Sequence, residues 1–180
     1  MDPFFLIFIR TSIAGILALL LIGCFKGKRL LASQLFSMVI VSGGVVISFP
    51  LLTAIALQHV TSAHLIVFLG LLLLSTTIFG VIRGAERPRP AFWEFSVLGS
   101  LLVVGFTFSQ NMSISLTGDL LMLIAAVVCG MGHAEGSVLS RGLGGWQVIS
   151  WALIISLPFM LIGFFFWYKG LAIGGIAAVG

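Results

Sequence analysis

The sequence predicts an all-α membrane protein, a polytopic bundle of about six transmembrane helices followed by a short apolar tail. Three observations lead there. Hydrophobic residues fill 60% of the 180 positions and charged residues only 8%, against about 45–50% and about 25% in soluble domains. Six runs are apolar over most of a bilayer's thickness. The basic residues gather between alternate runs. Nine Lys/Arg and five Asp/Glu cannot coat a soluble globule of this size. An ordinary soluble domain, a disordered chain, a disulfide scaffold and a nucleic-acid binder are thereby excluded.

About 20 apolar residues cross the ~30 Å hydrocarbon core. The runs that meet or approach this length are 3–25, 35–57, 63–82, 92–108, 118–139 and 146–168. Residues 170–180 are apolar but too short to cross. The runs lack the alternation of barrel strands, and bare backbone cannot sit in hydrocarbon, so each span is a helix. Short connections make neighbouring helices antiparallel.

The first run halts at Lys26, Lys28 and Arg29. Leu21-Ile22-Gly23-Cys24 looks like a lipoprotein cleavage box. The residues before it are mostly apolar and basic residues follow at once, which suits a helix ending at the cytoplasmic face. Arg10 lies about 10 Å below the outer end of this helix. It either snorkels outward or acts as a counter-charge for a solute or for Asp119. In the second run Pro50 should kink the outer half, two turns after Gly43 and Gly44. Broken helices at this depth flank binding sites in transporters.

His64, near His59, opens the third run at the outer face. Ser75, Thr76 and Thr77 fall at mid-membrane, where hydroxyls either bond to their own backbone or line a pathway. The fourth run is short. The fifth begins at Thr117-Gly118-Asp119, a good helix start with a carboxylate at the positive dipole end. Glu135 comes 16 residues later, about 24 Å deeper. It is either an interfacial carboxylate near Arg141 or a proton- or cation-linked group facing a water-filled cavity. Gly132 and Gly136 are spaced for close helix packing. His133 and Glu135 point to different faces, which argues against a metal site. Cys24 and Cys129 lie in apolar runs and read as small packing residues.

Orientation follows from the charges. Lys26, Lys28, Arg29, Arg83, Arg87, Arg89 and Arg141 are seven of the nine basic residues. They fall in loops 26–34, 83–91 and 140–145, all on one side of an alternating bundle. The positive-inside rule makes that side cytoplasmic. Trp93 and Trp146 then mark the inner interface, Trp167 and Tyr168 the outer one. Asn111-Met112-Ser113 forms a sequon on an outward loop.

No nucleophile elbow, phosphate loop, metalloprotease motif or pair of catalytic carboxylates occurs. The expectation is no enzyme, no catalytic residue, no metal and no cofactor. An intramembrane enzyme would need polar groups clustered at one depth, and only Glu135 and His133 come near that. Leu21-Ile22-Gly23 recurs as Leu161-Ile162-Gly163 in a helix of opposite direction, a faint sign of an inverted repeat.

Several motifs stand in a familiar order: Phe49-Pro50-Leu51-Leu52-Thr53-Ala54, then Ala63-His64, then Gly84-Ala85-Glu86-Arg87-Pro88, then Gly118-Asp119-Leu120-Leu121, then Gly144-Gly145-Trp146-Gln147. With these the chain resembles the EamA-type members of the drug/metabolite transporter superfamily over nearly its whole length. The resemblance implies ten helices in two inverted five-helix repeats. Residues 1–117 then correspond to helices two to five, and residues 118–180 to helices six, seven and part of nine. Phe164-Phe165-Phe166-Trp167-Tyr168-Lys169-Gly170-Leu171-Ala172 resembles the ninth helix, here joined directly to the seventh. The first, eighth and tenth helices have no counterpart, so the expectation is a truncated and internally deleted transporter.

The function implied is export of small organic solutes, such as metabolites, amino acids or drugs, across the bacterial inner membrane by alternating access. Solute would be held between the two repeats. The expected partners are the lipid bilayer and a solute, with a proton or cation gradient and a homodimer as further options and no nucleic acid. Candidate substrate or ion residues are Glu135, His64, Ser75, Thr76 and Arg10, with Pro50 as the kink. The alternative is a non-transporting membrane fragment that packs with a partner chain or is a remnant. If Glu135 couples transport to protons, Glu135→Gln abolishes gradient-driven flux in liposomes while the protein still folds. Unchanged flux removes Glu135 from the mechanism.

Overall fold

The computed structural model describes residues 3–25, 27, 30–84, 88–109 and 115–177. Among the described residues the chain is all helix: α1 (Pro3–Cys24), α2 (Ala32–Val41), a π-helical turn (Ser42–Ser48), α3 (Phe49–Ala56), α4 (Ser62–Gly84), α5 (Pro90–Ser109), α6 (Leu116–Leu143) and α7 (Gly145–Ala177). Four described helices are long and apolar enough to cross a membrane: Phe4–Cys24, Ala32–Ala56, Leu116–Leu143 and Gly145–Lys169. At 1.5 Å per residue, α4 and α5 extend over about 34 Å and about 30 Å. The protein is a polytopic helical bundle, as expected.

Helix α6 is the centre. It packs against α4, against the α2–π–α3 rod and against α7, while α1 packs on α7 and α5 on α4. Lipid supplies no hydrophobic drive between helices, so close approach depends on small residues. A Cβ added at Gly130 would lie 2.9 Å from Ser75 Cβ and 3.0 Å from Thr76 N, on α4. One at Gly132 would lie 2.8 Å from Val45 Cγ2, and one at Gly44 2.7 Å from Val128 O. Gly136 is looser, with Val41 at 3.8 Å.

These contacts settle direction. Ser75 meets Gly130, and Arg83 bonds Glu135, so α4 and α6 run parallel. Gly118 meets Val60 while Gly136 meets Val41, so the α2–π–α3 rod is antiparallel to α6. Gly15 faces Leu157 and Gly163 faces Phe8, so α1 and α7 are antiparallel. At one end Met38, Val41, Leu139, Leu143, Val148 and Ala152 form an apolar core with Leu30 packed on it, and Phe25 lies edge-on to Trp146. The described parts of the three basic loops therefore sit at the same end. At the opposite end Phe5 rests on Trp167, 5.2 Å between ring centres, and the Lys169 ammonium lies over Phe165.

The second span carries a π-helical turn, Ser42–Ser48, ahead of Pro50. The N–H of Phe49 reaches back five residues to Gly44 O. Widening the turn there eases the crowding between the Pro50 ring and the carbonyl four residues earlier. The apolar tail is no separate piece, because α7 continues to Ala177 and is 33 residues long, about 50 Å. Its glycines weaken a helix but do not stop one. The fourth span, read as short, is a 20-residue helix. The α6 cap is Ser115, whose hydroxyl accepts from Gly118 N–H, and Asp119 sits within the first turn. Lys26, Lys28, Arg29, Ala85-Glu86-Arg87 and the Asn111 sequon lie outside the described residues.

Gly130→Val should destabilise the bundle by about 1–3 kcal/mol, since overpacking pushes on the α4 backbone. Gly23→Ala, where a Cβ meets open space, should be neutral or slightly stabilising. Thermal unfolding in detergent compares the two. Equal melting points would contradict the close approach of α4 to α6.

Candidate functional site: the two faces of helix α4

Ser75, Thr76 and Thr77 are consecutive, so 100° per residue turns them to different sides of α4. Ser75 faces α6. Its hydroxyl lies 3.0 Å from Leu71 O in its own helix and 3.2 Å from Ala126 O across the interface. It is wedged against Gly130 in the α4–α6 interface. Thr76 and Thr77 donate back to Leu72 O at 2.7 Å and Leu73 O at 2.9 Å. Both border a cavity of about 640 Å³ between α4 and α5.

The α5 side of this cavity includes Phe92, Phe95, Ser96 and Ser100. Their spacing places them on one face of α5. Ser100 donates to Ser96 O at 2.9 Å. The remaining lining is aliphatic, glycine and Pro88, and no charged side chain borders the space among the described residues. Both walls come from residues 1–117. The cavity does not lie between the two proposed repeats.

On the α6 side of α4 the chemistry is ionic. Arg83 Nε donates to Glu135 Oε1. The Glu135 side chain is 7% exposed and that of Arg83 58%. Glu135 is drawn inward because it shares α6 with small residues, Gly132 and Ala134, that let neighbours close over it. A carboxylate removed from water needs a partner. The long Arg83 side chain supplies one while its helix stays at the bundle's edge. The expected neighbour Arg141 is six residues further along and about 240° round the helix.

Thr76 thus reaches the cavity, while Glu135 and Ser75 lie on the opposite side of α4. Arg10 is exposed on α1, which packs on α7, and borders neither feature. The His64 side chain lies outside the described residues. Among the described residues no group of three or more His, Cys, Asp or Glu is placed to hold a metal ion. Sequence reasoning missed Arg83, read only as a loop cation, and the whole α5 wall. The signal for that wall was present in the helical stripe Phe92, Phe95, Ser96, Gly99, Ser100.

The chain is 53% identical to the uncharacterized transporter YdeK of Bacillus subtilis (strain 168), over 210 residues covering 99% of this chain and 73% of the relative. An aligned span of 210 against a chain of 180 leaves at least 30 positions that only the relative occupies. No family model and no solved structure matches the chain.

Arg83→Gln leaves the Glu135 carboxylate buried without its cation. It should cost about 1–3 kcal/mol of stability, and the exchange Arg83→Glu with Glu135→Arg should recover part of it. Thermal unfolding of the parent chain and the two variants checks this. If Arg83→Gln melts like the parent chain, the ion pair does not hold α4 to α6.

Proposed function

The chain belongs to the family of the Bacillus subtilis transporter YdeK, and from that premise we propose that it exports small organic solutes by alternating access. The observation that carries this reading is the 53% identity across 99% of the chain. A multi-pass bundle of apolar helices supports it. In this reading the protein is an EamA-type member of the drug/metabolite transporter superfamily, with residues 1–117 and 118–180 derived from two inverted repeats. It resides in the bacterial inner membrane with loops 26–34, 83–91 and 140–145 in the cytoplasm, as the positive-inside rule requires.

The ion pair suits a coupling role. In this reading the pair opens as α4 moves against α6 and frees the Glu135 carboxylate for a solute or ion, so binding is tied to that movement. A ligand shifts such an equilibrium only by its differential affinity for the two states. A group that is paired in one state and free in the other meets that condition. The pair stands at the end where the basic loops gather, and its opening would expose the inner end of the α4–α6 seam.

A second reading draws on the positions, at least 30, that only the relative occupies. That length amounts to about one span and its loop, and in this reading it holds the eighth helix of the family pattern. Without it the chain either recruits a second copy or another partner, or no longer transports. Reconstitution decides between the readings. The purified chain in liposomes under a proton gradient is offered labelled amino acids and small amines. Saturable movement of a solute is the expected result. Stable, correctly inserted protein that moves none of them would favour the second reading.

A further inference from the structure

We infer that the cavity between α4 and α5 is a binding site for hydrophobic amines: apolar solutes of drug-like size that carry N–H donors and no acidic group. The inference rests on the transporter reading above and adds the substrate class. A serine or threonine hydroxyl has one proton to give and two lone pairs. At Thr76, Thr77 and Ser100 that proton is committed to a backbone carbonyl of the same helix. Each of these hydroxyls therefore offers the cavity lone pairs alone. Both walls are helical, so the backbone N–H groups along them are used within the helices. No cationic side chain borders the space among the described residues. On these two walls an anion or a carboxylate would find the Ser96 hydroxyl as donor against three hydroxyls that offer only lone pairs, a poor replacement for water.

An ammonium or amide N–H meets the opposite situation. It finds hydroxyl oxygens on both helices, and the rings of Phe92 and Phe95 attract a cation through their faces. Leu73, Leu74 and Val81 receive the apolar part of the solute. The volume of about 640 Å³ is in the range of small-molecule sites. Selection is by the sign of the hydrogen bond, with donors favoured over acceptors.

Equilibrium binding tests this without relying on transport. The full chain in nanodiscs is titrated with tritiated phenethylamine, with hydrocinnamate and propylbenzene as competitors of similar shape. Phenethylamine should bind saturably, about tenfold or more tightly than either competitor. Thr76→Val and Ser100→Ala should each weaken it about fivefold, the value of one hydrogen bond. Gly99 borders the cavity and a Cβ there meets open space, so Gly99→Leu should fill the site, abolish binding and leave folding intact. Gly105, on the same helix and equally open, does not border it, and Gly105→Leu should bind as the parent chain does and melt with Gly99→Leu.

Equal binding of hydrocinnamate, or amine binding that survives Gly99→Leu, would overturn the assignment. Uptake no greater than in empty nanodiscs would overturn it too, by reducing the effect to partition into lipid. The two readings fail separately. Saturable flux of some other solute without amine binding sinks the cavity assignment alone. Amine binding removed by Gly99→Leu in a chain that moves nothing keeps the site and sinks transport.

Discussion

The close approach of three helices to α6 is the constraint on which the remaining architecture depends. In a bilayer, helix association draws on packing rather than on escape from water. The α6 surface is accordingly built from glycine and alanine where neighbours meet it. Gly130 admits α4, Gly132 admits the π-helical turn, and Gly118 admits Val60 at the opposite end. Gly44 completes the fit from the other side by bringing the turn against Val128 O. The same closeness buries Glu135, and a carboxylate in that position requires a cation. Arg83 answers from α4. A steric feature of one helix thus dictates the electrostatics of the next.

Helix α4 divides its polar residues between two tasks. Toward α6 it offers Ser75 and Arg83, which hold the interface with one shared hydroxyl and one ion pair. Toward α5 it offers Thr76 and Thr77, whose protons are spent on their own helix. Hydroxyls that back-bond in this way lower the cost of polar groups in lipid and leave acceptors facing the cavity. Helix α5 packs on α4 and presents aromatic and hydroxyl residues to the same space. The helix thus separates an ionic seam from a cavity bordered by no charged side chain among the described residues.

Much of the fold was legible in the sequence. Continuous apolar runs, positively charged alternate loops and the Gly132/Gly136 spacing predict an alternating helical bundle with close packing on the fifth run, and the structure has that form. Element ends were less legible. The α6 cap is a serine two residues ahead of the expected start, and α7 runs on through glycines that weaken helices without ending them. Pro50 announced an irregularity, but a π turn placed it one turn earlier, since the ladder adjusts ahead of the ring. The side-chain directions around α4 were not legible. Depth and polarity singled out Glu135 and Thr76, yet neither reveals which way a side chain turns. Ser75 and Thr76 are adjacent in sequence and serve opposite faces. Arg83 was hidden because a loop cation looks alike whether it meets water or a buried carboxylate 52 residues away.

A cysteine pair tests the α4–α6 contact most directly. Ser75→Cys and Gly130→Cys, in a chain with Cys24→Ser and Cys129→Ser, would start with β-carbons 2.9 Å apart. A disulfide spans about 3.5–4.5 Å between β-carbons, so the helices need part only slightly. Oxidation in the membrane should yield one crosslink within the chain, seen as an unshifted monomer mass with no free thiol. Free thiols after oxidation, or crosslinks that join separate chains, would contradict the placement of α4 against α6.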